Sequence, residues 1–452
     1  MRVQLLKEIE EEVTNLLSEL IRINTTNPPG NETKAAKYLA EHLRKEDLSC
    51  TIYESAPERG SLITRLKGTG EKPSLLLLSH LDVVAADAKE WSIDPFGGVV
   101  KDGFVWGRGA LDMKGMTAIE VMTMKLLKRN NLKLKGDVTL AATADEEKGG
   151  LAGADYLLRN YPEEIRADYV LNEGGGLAIP TQNRNLYTVQ TAEKGILWFK
   201  VRAKGTPGHG SLPNMAENAI IRMNKVIEKL GNYRSQILLV PIVKKFLIEI
   251  ARENPTLQQL FSRLLTNPEL SDQILEALAK TAPQISEEIR PRIRMTLTPT
   301  MIHGGVKENV IPSECEAVFD CRMLPGQMPV QTLRLIKDLL KDVDSEKLEF
   351  ESLQVQEPSE SQAGTPLFDV ITSVLKDFEP NCGITPMLMT GGTDSRFFRR
   401  VGSVCYGFHP RRSDVPYGEM NKMVHGVNER ISIENLVFGT SVLYETVKRF
   451  IS

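Results

Sequence analysis

Cysteine and histidine are scarce in this chain. The five cysteines, Cys50, Cys315, Cys321, Cys382 and Cys405, are odd in number, widely spread and never spaced as Cys-x-x-Cys. That argues against a disulfide scaffold and a thiolate zinc site, and it fits a reducing, cytoplasmic setting. There are six histidines, His42, His80, His209, His303, His409 and His425, so any imidazole chemistry must come from these. No apolar run approaches the ~20 residues a membrane helix needs. The opening MRVQLLKEIEEEVTNLLSEL carries acidic residues among its apolar positions. It is therefore expected to be an amphipathic helix and not a signal peptide. Neither sign of charge is in excess: 56 basic and 59 acidic residues leave a net charge of -3. A general attraction to nucleic acid or to an anionic membrane is excluded on that ground. No Gly-rich turn ends in GK[ST] or matches a dinucleotide fingerprint, and no repeat or low-complexity tract is present.

What is there is enough chain for two or three domains: 452 residues, 41% hydrophobic and 25% charged. Up to residue 186 helices and strands alternate, as in a helix-covered, largely parallel sheet. Strands are expected over 50–54, 62–66, 75–79, 138–143 and 169–171, and helices over 32–44, 113–128 and 152–158. From 187 to 356 the pattern changes to longer antiparallel strands with helices at 216–230 and 330–340, interrupted by a polar helical stretch at 237–289 with few turn signals. QEPSESQAGTP then reads as a linker, and 357–452 returns to alternating helix and strand. The expected fold is α/β, a helix-flanked mixed sheet forming a catalytic domain from 1–186 and 357–452. A smaller α+β lid or dimerisation domain, 187–356, is inserted into it.

LLLLSHLDVV, residues 75–84, is apolar enough for a buried strand yet ends in His80 and Asp82. Other strands end the same way. Asp145, Glu146 and Glu147 follow 138–144, and Glu173 follows 169–171 before three glycines. Asp112 sits in GRGALDMKG, a glycine-rich turn ahead of a helix. Ligands bind at the carboxyl ends of strands in open α/β sheets, so these groups are expected to converge. Clustered carboxylates raise one another's pKa and destabilise the charged state. A divalent cation removes that conflict, and imidazole mixed with carboxylate suits zinc, cobalt or manganese better than calcium or magnesium. His80 is then a ligand, with Asp82 fixing its tautomer.

SHLDVV, WGRGALDMKG, ATADEEKGG, NEGGG, GTPGHGSLP, GGVKENVIP, GGTDSRF and VHGVNERI, in this order, resemble the M20 zinc peptidases and deacylases over nearly the whole chain. The C-terminal motifs look most like the carboxypeptidase-S and N-acyl-amino-acid hydrolase branch. The resemblance implies two zinc ions per subunit, with cobalt or manganese as substitutes. Asp112 would bridge them, His80 and Glu173 would complete one, and Glu147 and His425 the other. Two zinc ions, three carboxylates and a hydroxide then sum to near neutrality.

By the same resemblance Glu146 is the general base, activating a metal-bridging water for attack on an amide next to a free carboxylate. Asp82 supports the site. His209 stabilises the oxyanion from the lid, usually that of a partner subunit, beside Asn309. Arg322, together with the Gly392 and Thr393 turn, holds the substrate carboxylate. His42, His303 and His409 are left as structural. The substrate is expected to be a dipeptide or N-acyl amino acid, and the partner a second copy joined through the inserted domain. The helical stretch enlarges that domain and bears on both dimerisation and the origin of His209. The alternative is a catalytically silent metal-binding scaffold of the same fold.

Overall fold

A computed structural model describes residues 2–415 and 417–452. The chain divides into two compact units, one formed by Met1–Thr191, Ser361–Met387 and Thr393–Ser452, the other by Ala192–Glu360 and Leu388–Gly392.

The sheet of the first unit runs in the order Cys50–Glu54, Gly60–Leu66, Val138–Thr143, Leu75–His80, Tyr169–Asn172, Val404–Gly407, Asn185–Glu193. Its centre is parallel and its margins antiparallel. Leu75–His80 is buried at every position because both of its faces are covered. Leu75 and Leu77 pack with Ile119 and Met122 of the helix Lys114–Arg129 and with the C-terminal helix Ile433–Ile451. Leu76 and Leu78 pack with Leu157, Phe397 and Phe398 on the other side. A strand between two helical layers reads as a continuous apolar run instead of alternating.

The second unit holds an antiparallel sheet in the order Thr296–Gly304, Glu314–Met323, Gly195–Lys204, Leu348–Gln356. Met223, Val226 and Leu230 of the helix Ala219–Gly231 and Ile336 of Pro329–Leu339 cover one face, over Leu197, Phe199, Phe319 and Cys321.

The stretch expected at 237–289 is a succession of helices: Pro241–Ala251, Pro255–Thr266, Ser271–Thr281 and Pro283–Ile293. Three of the four open on proline, where the missing N–H is no loss and φ is already helical. Asn254 also caps the second of these through Leu257 N–H.

Two details differ from the sequence expectation. Asn185–Glu193 pairs with Ala178–Pro180 and with Val404–Gly407, so the chain stays in the first unit as far as Thr191. Leu388–Gly392 belongs to the second unit, although it lies within 357–452. In the expected linker, Ser359 and Glu360 pair with Glu193 and Ala192. No helix among the described residues is long and apolar enough to cross a membrane.

Leu77 is fully buried in the central strand. Leu77→Ala is expected to destabilise the first unit by about 2–5 kcal/mol, the range for buried leucines, measured as a lower midpoint in urea unfolding.

Candidate metal centre

Parallel register brings three strand ends together. His80 lies opposite Thr143, and Leu77 opposite Leu171, so the residues following those strands meet at one sheet edge. Asp112 arrives on the loop ahead of Lys114–Arg129, and its peptide bond to Met113 is cis. His425 comes from near the C-terminus, in the left-handed region at φ 58°.

Two donor groups result, His80 with Asp112 and Glu173, and Asp112 with Glu147 and His425. His80 Nε2 lies 3.1 Å from Asp112 Oδ1 and 3.9 Å from Glu173 Oε1. His425 Nε2 lies 3.0 Å from Asp112 Oδ2 and 3.2 Å from Glu147 Oε2. Ligands about 2.0–2.1 Å from a tetrahedral ion are separated by roughly 3.3 Å, so both groups are close to the size a cation needs. Glu147 Oε1 is buried without a hydrogen-bond partner, a further sign that the donor set fits a metal.

In the metal-free chain the crowding of these groups favours their protonated forms. Asp112 and then Glu147 raise the His425 pKa to about 10. Burial opposes a charge on His80, but hydrogen bonds to Asp112 and Asp82 hold its pKa well above the usual value. Burial, then the neighbouring Glu173, pushes Glu146 well up; burial and Asp112 do the same to Glu173.

A buried polar layer fixes these ligands. His80 Nδ1 lies 3.0 Å from the Asp82 carbonyl and 3.4 Å from its carboxylate. That carboxylate also accepts the backbone N–H groups of Glu146 and Glu147, each at 3.1 Å, and the Asn27 amide at 2.8 Å. Asp82 therefore orients both the imidazole and the Glu146–Glu147 turn. Asp145 opens that turn at φ 74° and is held by Arg59 at 2.7 Å and Ala152 N–H at 2.9 Å. Arg396 donates to Gly149 O at the far end of the turn.

Glu429 was not singled out from the sequence, although it lies in the quoted VHGVNERI. It is fully buried and accepts from Arg108 Nη1 and from the N–H groups of Gly109, Leu111 and Asp112. The loop bearing Asp112 is thereby tied to the segment bearing His425. Asn27 and Arg59 carried no local signal at all.

Glu146 belongs to neither donor group and is half-buried beside them. The remaining expected residues are distributed differently. His209, Asn309, Arg322 and Gly392 are in the second unit, and Thr393 is in the first. His209 is exposed, and its Nδ1 accepts Ser211 N–H at 3.2 Å and lies 2.8 Å from Ser211 Oγ. The neutral ring then carries its proton on Nε2, an assignment made from the hydrogen bonds. Asn309 lies alongside, its carbonyl accepting Gly210 N–H.

Arg322, expected to hold a substrate carboxylate, is paired within its own strand. Asp320, two residues earlier on the same strand face, fills its fork at 2.7 and 3.0 Å, and the guanidinium lies 5.7 Å from the Trp198 ring centroid. Thr393 is buried, and its hydroxyl accepts from Asn172 Nδ2 and Ser395 N–H, so it too is turned into the fold.

A family model described as peptidase family M20/M25/M40 matches residues 76–449. The chain is 28% identical over 393 residues to the human N-fatty-acyl-amino acid synthase/hydrolase PM20D1, covering 84% of this chain and 74% of that one. It is 27% identical over 416 residues to pig aminoacylase-1, covering 89% and 88%. Among solved structures it resembles an M20 family metallo-carboxypeptidase, Sso-CP2 from Sulfolobus solfataricus. The TM-score is 0.73 at 20% identity, over 97% of this chain and 99% of that one.

Glu429→Gln keeps the size of the side chain but weakens its grip on the Asp112 loop. Zinc affinity, read by chelator competition, is expected to fall by roughly 10–100-fold, as for other outer partners of metal ligands. His425 must lose a proton before it can bind a cation. Its pKa of about 10 in the metal-free chain means that binding releases protons and tightens as pH rises from 6 to 9. Calorimetric titrations in buffers of different ionisation enthalpy measure that release.

Proposed function

The chain belongs to peptidase family M20/M25/M40 and is a metal-dependent hydrolase, and from that premise we propose that it uses two zinc ions to cleave an amide bond beside a free carboxylate. The observation that carries this is a pair of donor groups sharing Asp112, with a half-buried carboxylate, Glu146, next to both and part of neither. His80 and Glu173 would hold one ion, Glu147 and His425 the other, and Asp112 both. Cobalt or manganese would fit the same donors. When bound, such cations act as Lewis acids, polarising the carbonyl and making water acidic near neutral pH.

Glu146 supplies the proton handling. Its carboxylate takes a proton from the water that attacks the amide carbonyl carbon, and returns it to the nitrogen as the C–N bond breaks. Glu147 is one residue away with a different task, and Asp82 keeps them apart by gripping both backbone N–H groups. His209 donates from Nε2 to the developing oxyanion, with Asn309 at its side. Arg322 would have to exchange Asp320 for a substrate carboxylate, and the Gly392–Thr393 backbone would assist.

An N-acyl amino acid is favoured over a dipeptide, because the human relative is an N-fatty-acyl-amino acid synthase/hydrolase and the pig relative an aminoacylase. A homodimer through the second unit is part of the same proposal. The edge strand Thr296–Gly304 exposes Met301 and Ile302, and the helix Ala219–Gly231 exposes Ile220 and Ile221. Five free cysteines suit the reducing cytoplasm.

Glu146→Ala is expected to retain both zinc ions by elemental analysis and to lose about 10²–10⁴-fold in kcat, the usual contribution of a general base. The assay is a panel of N-acyl amino acids and dipeptides with C-terminally amidated controls. Near-normal turnover by this variant would reject the mechanism.

A further inference from the structure

His409, left above as structural, and Arg411 occupy the same sheet edge as the candidate metal ligands. They follow the strand Val404–Gly407, which pairs in parallel with Tyr169–Asn172, the strand that Glu173 follows. A short ladder fixes them there. His409 N–H donates to Gly175 O and Arg411 N–H to Gly176 O, each at 3.0 Å, and Arg411 O accepts from Ala178 N–H at 2.9 Å. The approach is so close that a Cβ on Gly176, at φ +86°, would lie 2.3 Å from the His409 backbone. This explains why glycine stands there, and it locks the pair beside Glu173.

Both side chains are buried and unsatisfied. His409 is 2% exposed and Arg411 9%. His409 Nε2 and Arg411 Nε and Nη1 have no hydrogen-bond partner. A buried guanidinium with open donors is costly unless an anion meets it. Fields from Asp414, Asp112 and Glu429 reach Arg411, but none of them forms an ion pair with it within 4.0 Å. Cations at the metal centre would further offset Asp112. Burial and Arg411 together keep His409 neutral, as a single N–H donor.

We propose that His409 and Arg411 form a subsite that binds a carboxylate of the substrate next to the metal centre. A planar guanidinium whose Nε–H is free can meet a carboxylate through its Nε–Nη2 edge, and Nη1 and the imidazole are further open donors. This rests on the hydrolase reading above. It adds to Arg322, whose fork Asp320 fills, a second arginine, buried at the sheet edge itself, whose Nε and Nη1 are unpartnered. The carboxylate is either the α-carboxylate of the amino acid or one on its side chain.

The test compares metal-loaded wild type with Arg411→Met, Arg411→Lys and Arg322→Met. Substrates are N-acetyl-L-methionine, its amide, and N-acetyl-L-glutamate. Arg411→Met is expected to raise KM for N-acetyl-L-methionine roughly 10–100-fold, the value of a charge-assisted pair, with kcat changed less than about threefold. Arg411→Lys should recover part of the loss, and it serves alone if the methionine variant does not fold.

An α-carboxylate source predicts that turnover of the amide is weak and indifferent to the substitution. A side-chain source predicts a penalty confined to N-acetyl-L-glutamate. Equal effects on acid and amide, or no effect of Arg411 while Arg322→Met raises KM, overturn the proposal. If wild type turns over none of these substrates, the choice of N-acyl amino acids as substrates is what has failed. The subsite is then judged by calorimetric titration with succinate: a Kd at least tenfold weaker in Arg411→Met supports it, and equal Kd values overturn it.

Discussion

Carboxylates repel, and this chain gathers Asp112, Glu146, Glu147 and Glu173 at one sheet edge. Their mutual repulsion, in a partly desolvated cleft, is the constraint on which the rest of the structure depends. Without cations, burial and neighbouring carboxylates shift Glu146 and Glu173, and hydrogen bonds to carboxylates shift His80 and His425, all toward their protonated forms. Asp112 is the exception. Burial works against its charge, but hydrogen bonds from His425 and His80 keep it ionised. A carboxylate that stays charged between two imidazoles is the natural bridge for a pair of cations.

Holding like charges together requires more than ligands. Asp82 grips the Glu146–Glu147 turn through two backbone N–H groups and Asn27 through its amide, while Arg59 grips Asp145. Glu429 collects Arg108 and three backbone N–H groups around Asp112. Each is a buried carboxylate whose lone pairs are met by donors, the condition under which a buried charge is tolerated. The geometry of the two donor groups is therefore set by anions that belong to neither of them. Adjacent residues can divide labour for the same reason: the backbone between Glu146 and Glu147 is pinned, so one side chain enters a donor group and the other does not.

Much of this was legible in the chain. An apolar run ending in ionisable residues marks a strand whose tip does chemistry, and Leu75–His80, Val138–Thr143 and Tyr169–Asn172 all carried that mark. The partners of the ligands were not legible, because Asn27, Arg59 and Glu429 come from distant segments and no spacing links them to what they hold. Arg322 shows a different limit. Asp320 is two residues away, and the period of a strand puts both on one face, so the ion pair could have been foreseen from spacing alone. The stretch 237–289 was expected to be helical with few turn signals, and its punctuation is proline: Pro241, Pro255 and Pro283 each open a helix, a position that proline fills without loss.

The same logic of meeting every buried donor explains how the helical stretch joins its unit. Lys194 is fully buried at the head of the strand Gly195–Lys204, and its Nζ donates to Pro291 O and Arg294 O. These carbonyls end the helix Pro283–Ile293 and have no partner within it. Burial brings the lysine pKa down to about 7, so the amine need not carry a full charge to make those bonds. Arg292, from the same turn, donates to Leu388 O. The helices are thus anchored at their exit to the strand that opens the second unit and to the segment 388–392. A stretch fixed at those points moves as part of its unit, and its length in sequence does not make it a separate body. Arg411 is the contrast that gives its open donors meaning: elsewhere in this chain a buried cation such as Lys194 or Arg108 finds an acceptor within the fold, and this one does not.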